Sequence, residues 1–152
     1  MALQLGDRVP NFTAKDKEGH IFESNTVVGV KPVVLYFYPK DNTLGCTAQA
    51  CSFRDQYEVF KELGAEVIGI SSDSSDSHEK FTKKYQLPFT LLSDSNQKVR
   101  KIFGVKPSLF GLIPGRVTYI VDKNGIIKYI FDSMLATNHI PKALEIIKKM
   151  KL

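Results

Sequence analysis

Cysteine is scarce in this chain: two occur in 152 residues. That excludes a disulfide-built scaffold and a four-sulfur zinc site. The histidines His20, His78 and His139 stand at no ligand-like spacing from either cysteine or from one another, which argues against a zinc centre of mixed ligands. Long apolar runs are missing too. The longest, Val33 to Tyr38, is far too short to cross a bilayer. Met1 to Pro10 lacks the basic-then-apolar pattern of a secretory signal, although a targeting segment already removed would leave no mark. Repeats, low-complexity tracts and linker-like stretches are absent, so one domain over residues 1–152 is expected. What is present is ordinary for a soluble globular chain, with 43% hydrophobic and 24% charged residues.

Charge is unevenly spread. Residues 1–76 hold 7 Lys/Arg against 11 Asp/Glu, and residues 77–152 hold 14 against 5. A basic half can mark a surface for nucleic acid or another acidic partner. Here the lysines fall where helix surfaces are expected and no aromatics interleave with them, which favours a solvated basic face.

Residues 1–30 are polar and turn-rich and read as an N-terminal arm or short hairpin. Val33–Tyr38 is a continuous β-branched and aromatic run, the pattern of a buried strand. Past a turn-rich loop from Pro39 to Gly45, Cys46, Ala50, Phe53, Tyr57 and Phe60 recur at helical spacing and predict an amphipathic helix ending near Gly64. A strand over 65–70, a helix over 74–86, a strand over 90–92 and a helix over 95–103 follow. Val117–Val121 and Ile126–Phe131 flank Asp122-Lys123-Asn124-Gly125, a hairpin signal. Ile140–Met150 is a closing helix with Pro141 in its first turn. Successive strand–helix–strand units predict parallel pairing, and the late hairpin adds antiparallel strands. The expected fold is α/β: a thioredoxin-like arrangement with a central mixed sheet and helices on both faces.

Cys46 falls where a buried strand has ended and a helix begins. Unpaired backbone N–H groups and the positive end of the helix dipole favour the thiolate there, the reactive form of the residue. A small buried core cysteine is the competing reading. Thr43 lies three residues earlier. Its hydroxyl suits either contact with a peroxide, whose departing oxygen needs donors, or plain capping of the helix. Cys51 follows at Cys46-x4-Cys51, unlike the Cys-x-x-Cys of dithiol oxidoreductases. That spacing fits a resolving thiol or two unrelated core cysteines. Arg116, before a strand, reads as a surface charge on position alone.

The motif Pro39-x-x-x-Thr43-x-x-Cys46 and the wider run from Tyr38 to Asp55 resemble the active-site segment of peroxiredoxins. The likeness is to the peroxiredoxin Q group, also called the bacterioferritin comigratory protein group. Gly64–Ser71, Leu87–Asp94 and Pro114–Asp122 resemble its later segments in the same order. The resemblance implies a cysteine peroxidase with no metal and no organic cofactor. Cys46 then matches the peroxidatic cysteine, Cys51 the resolving cysteine, Thr43 the motif threonine, Pro39 the proline shielding the pocket, and Arg116 the active-site arginine. Leu44 departs from the more usual Thr-Pro-Gly-Cys run and removes no reacting group.

The expected activity is reduction of hydrogen peroxide and organic hydroperoxides. Cys46 becomes a sulfenic acid, Cys51 resolves it as an intramolecular disulfide, and a thioredoxin-like dithiol protein restores both thiols. On one regular helix, Cα atoms five residues apart are roughly 8.6 Å from each other. That is beyond the roughly 7 Å a disulfide tolerates, so the helix start must open to form it. The resemblance further implies a monomer; the short apolar runs argue against a membrane partner, and the lysine pattern against nucleic acid. A cytoplasmic location is expected, with a plastid after transit-peptide removal as the alternative. The rival readings are a binding or chaperone module using the basic half, and a general disulfide oxidoreductase.

Overall fold

In the computed structural model, which describes residues 2–106, 115–133 and 139–150, the run Val33–Phe37 forms a strand whose five residues are all buried. Its side chains alternate between two cores. Val34, Tyr36 and Tyr38 pack with Phe53, Phe60, Phe81, Ile120 and Ile147. Val33, Leu35 and Phe37 pack on the other face with Val99, Phe103, Tyr119 and Phe12. Burial on both faces is what a continuous apolar run encodes, as opposed to an alternating one.

In chain order the strands are β1 Thr13–Lys15, β2 Ile21–Glu23, β3 Val33–Phe37, β4 Glu66–Ser71, β5 Thr90–Ser93, β6 Val117–Val121 and β7 Ile127–Asp132. The helices are α1 Leu44–Glu62, α2 Ser75–Tyr85, α3 Lys98–Phe103 and α4 His139–Met150. The strands form one sheet in the order β2-β1-β5-β4-β3-β6-β7. β3, β4 and β5 are parallel, while β6 runs antiparallel to β3 and β7 antiparallel to β6. The N-terminal arm is a hairpin joined to the sheet edge where Lys15 pairs with Ser93. This is the thioredoxin-like mixed sheet expected from the sequence. Its two cores place helices on both faces, with α1, α2 and α4 on one and α3 on the other.

Local chemistry explains the boundaries. Ser74 caps α2, its hydroxyl accepting from Ser77 N–H at 3.2 Å. Asp122 Oδ1 accepts from Asn124 N and Ile126 N at 2.9 and 3.0 Å, and Gly125 takes a φ of 84° that closes the β6–β7 turn. Two helix starts differ by two residues or more from the sequence reading. α1 begins at Leu44, so Cys46 sits within its first turn. α3 begins at Lys98 and not near Ser95, because Gln97 adopts a left-handed φ of 59° and Asp94 instead accepts from Val99 N and Arg100 N, both at 2.9 Å. Pro114, quoted in the resemblance, lies outside the described residues.

Candidate active site

β3 ends at Phe37, and buried Tyr38 follows it, its N–H making a last bond to Ile70 O at 3.1 Å. Half-buried Pro39 follows, and the chain then turns toward α1. Asp41 pins this turn. Its Oδ1 accepts from Tyr38 Oη at 2.6 Å, and its Oδ2 accepts from Ser77 Oγ at 2.8 Å and meets His78 Nδ1 at 2.7 Å. His78 Nε2 donates to Leu92 O at 2.9 Å, since a carbonyl only accepts. A second proton must then sit between His78 Nδ1 and Asp41 Oδ2, with both side chains buried. Burial, then Tyr36 and Asp41, push Tyr38 well above the ordinary tyrosine value, so it remains a hydroxyl donor.

α1 starts as soon as this loop ends. Thr43 stands at the cap position with extended backbone, and its carbonyl accepts from Thr47 N–H at 2.8 Å. Its side chain makes no capping bond; the hydroxyl donates to Lys40 O at 3.0 Å. Of the two roles the sequence offered, contact with a peroxide or a helix cap, the capping bond is not made. Leu44 is 94% exposed. Cys46, two residues on, is 1% exposed and is a free thiol.

Arg116 is the group brought to the sulfur. It is 3% exposed, which rules out the surface-charge reading. Its Nη2 donates to Cys46 Sγ at 3.2 Å, and its Nη1 donates to Gln49 Oε1. A Cβ on Gly45 would stand 3.1 Å from Arg116 Nη2, so the absent side chain leaves room for the guanidinium. Among the described residues, Gln49 Nε2 and Arg116 Nε are buried donors with no hydrogen-bond partner. The arrangement thus offers a sulfur, a fixed cation beside it and spare N–H donors within a site largely closed to water. The cation and the spare donors suit an oxygen that gains charge.

Cys51 is half-buried on the same helix, also a free thiol. His139 stands behind the arginine. Its Nε2 donates to Ser133 O at 2.7 Å and its Nδ1 accepts from Thr118 Oγ1 at 2.6 Å, which makes the ring neutral. Burial is the main reason that its pKa is lowered to about 4, and the charge of Arg116 adds to the effect. Gln49, Asp41 and His78 had not been singled out from the sequence. Gln49 is three residues from Cys46 and so shares its helix face, which could have found it. Asp41 read as a turn residue, and nothing in the sequence signals a partner 37 positions away.

Among the described residues, no cluster of three or more His, Cys, Asp or Glu is arranged to hold a metal ion, and no helix is long and apolar enough to cross a membrane.

Comparison with known proteins bears on this geometry. Residues 5–130 match the model of the AhpC/TSA family. Peroxiredoxin Q, chloroplastic, from Sedum lineare is 53% identical over 147 residues, covering 96% of this chain and 78% of that protein. Peroxidoxin BcpB from Mycobacterium tuberculosis superposes with a TM-score of 0.90 at 33% identity, over 97% of this chain and 98% of that one. PrxQ from Xylella fastidiosa superposes with a TM-score of 0.88 at 27% identity, over 98% of each chain.

Proposed function

The chain belongs to the AhpC/TSA family as a peroxiredoxin of the Q group and is a thiol-dependent peroxidase; from that premise we propose that Cys46 is the sulfur that attacks the peroxide. The contact of Arg116 Nη2 with buried Cys46 Sγ at 3.2 Å carries the assignment.

The Cys46 thiolate attacks one oxygen of the peroxide. An S–O bond forms, the O–O bond breaks, and the departing oxygen takes a proton to leave as water or an alcohol. Cys46 is then a sulfenic acid. Arg116 holds the substrate oxygen beside the sulfur and stabilises the charge that develops, with Thr43 contributing once its hydroxyl turns from Lys40 O. Pro39 closes the pocket wall. Cys51 sulfur next attacks Cys46 sulfur; the S–S bond forms as the S–O bond breaks, and water leaves. An external thioredoxin-like dithiol attacks the disulfide and is itself oxidised, returning both thiols.

α1 is continuous through both cysteines. On a regular helix their Cα atoms are roughly 8.6 Å apart and cannot be bridged without opening the first turns. Amide exchange over residues 43–55 tests this step. Protection should fall in a sample shown by mass to carry the disulfide, and unchanged protection refutes the step. Residues 1–152 work as one thioredoxin-like domain and as a monomer, on hydrogen peroxide and organic hydroperoxides. The chloroplastic label of the Sedum lineare relative favours the plastid over the cytoplasm.

The deciding experiment is rapid-mixing peroxide consumption by wild type and Cys46→Ser, with thioredoxin and glutaredoxin as alternative reductants. The variant should lose fast turnover. A near-wild-type rate without this sulfur overturns the assignment.

A further inference from the structure

α3 belongs to the opposite face of the sheet from Cys46, yet it sends a cation to the same strand end. Arg100 is 4% exposed. Its guanidinium lies over the Phe37 ring at 5.6 Å from the centroid. Nη2 donates to Tyr38 O at 2.6 Å and Nη1 to Gly115 O at 3.0 Å. Burial lowers its pKa from the ordinary arginine value, against the opposing effect of Asp94 and Cys46. The hydrogen bonds of this guanidinium go to carbonyls, with a ring face beside it, and taking a cation out of water is costly even with Asp94 opposing the effect; an apolar side chain of similar volume often serves packing as well. The cost calls for a use.

The two carbonyls show the use. The β3–β6 pairing runs from Val33 opposite Val121 to Phe37 opposite Val117 and goes no further. One residue beyond that last pair stand Tyr38 and Arg116. Where the ladder stops, the Arg100 guanidinium joins the two strand ends instead. Tyr38 O belongs to the peptide plane that carries Pro39, and Gly115 O to the plane that carries Arg116. A planar fork with donors at fixed angles sets both planes at once. Gly115 itself lies close against another backbone segment, since a Cβ there would stand 2.2 Å from Lys106 O.

We propose that Arg100 is a positioning residue for the peroxide step, its guanidinium clamping the Tyr38–Pro39 and Gly115–Arg116 peptide planes so that pocket wall and cation hold their places around Cys46. The inference rests on the assignment of Cys46 and Arg116 above. It concerns geometry, so it predicts a selective loss. Peroxide needs sulfur, cation and wall in register, whereas a neutral alkylating agent needs only the sulfur.

The test compares wild type, Arg100→Met, Arg100→Lys and Cys46→Ser. Cys46 oxidation by hydrogen peroxide and its alkylation by iodoacetamide are timed at one pH, and thermal unfolding is recorded. In Arg100→Met the peroxide rate constant should fall by about tenfold to a hundredfold while alkylation stays within about threefold of wild type, the expected scale for a small misplacement at a reacting centre. Arg100→Lys keeps the charge but not the fork, and should show the same selective loss, smaller in size. Peroxide and alkylation rates falling in equal proportion overturn the inference. So does a folded Arg100→Met with an unchanged peroxide rate. Loss of the fold in both Arg100 variants would assign the residue to stability and overturn it as well. A fast peroxide reaction in Cys46→Ser would instead overturn the underlying assignment, whatever the Arg100 variants do.

Discussion

Leu44, Gly45, Cys46 and Thr47, the first turn of α1, bury one side chain between them, the thiol of Cys46. The stretch from Phe53 to Phe60 is fastened on several sides. Phe53 stacks on Tyr36 at 4.6 Å and lies 5.8 Å from Phe60. Arg54 donates to Tyr85 O at 2.7 Å, and Tyr57 to Glu66 at 2.7 Å. One helix thus joins a loosely held end to an anchored end. The loose end holds the sulfur, which Arg116 contacts, and it is the end that opens in the proposed cycle. Local opening costs least where buried apolar contacts are few. Reactivity and anchoring are divided along a single element.

The largest effect expected at the loose end is the loss of rapid peroxide reduction in Cys46→Ser, with the melting temperature little changed. At the anchored end, Phe53→Ala should remove about 3–5 kcal/mol of stability, read by urea unfolding. Its peroxide rate per folded molecule should stay near wild type. A matching collapse of that rate would erase the division between the two ends.

Arg116→Ala should slow the peroxide step by an amount equivalent to roughly 3 kcal/mol, leaving unfolding similar; equal loss of fold would make Arg116 structural. Behind it, His139 gives a pH signature. The folded ring takes a proton only near pH 4, whereas the unfolded ring takes one near pH 6.5. The unfolded state therefore binds more protons between these values. Stability from this residue is complete above pH 6.5 and falls as the pH drops toward 4, by about 3 kcal/mol at most. His139→Gln should flatten that slope in urea unfolding measured across the range; an unchanged slope would place the acid sensitivity elsewhere.

The smallest effect belongs to Leu44→Pro. Leu44 is the first helical residue, after a Thr43 whose ψ is 158°, which suits a following proline. The substitution should stabilise the turn by about 0.4–1 kcal/mol. Slower amide exchange at residues 45–47 and slower disulfide formation would show it. Faster exchange would mean that the loop does not accept the ring.

Much of the fold is legible in the sequence. The β3 run, the α1 face from Cys46 to Phe60 and the Asn-Gly turn carry their structure in short-range pattern. The start of α1 was read two residues late because Leu44 points to solvent and adds nothing to the apolar period. Pro39, Thr43 and Cys46 could be found as a motif, and Arg116 only through resemblance, because its distance from Cys46 is closed by the β3–β6 pairing. Asp41 with His78, and Arg100 with Tyr38 O, were out of reach for the same reason. Each joins residues from separate elements, and a lone buried Arg or His reads as surface until the fold shows what surrounds it. Thr43 teaches the converse. Its place was read correctly, but the direction of its hydroxyl is set by Lys40 O, a local competitor that the motif does not reveal.

The presence of both thiols on α1 has a consequence for kinetics. In the proposed cycle, sulfur meets sulfur within one chain, so disulfide closure is first order and insensitive to dilution. Its rate is governed by how often the first turn opens, a property of the polypeptide alone. At low abundance the enzyme would still close its disulfide at full speed, and only the encounters with peroxide and with the reductant would respond to concentration.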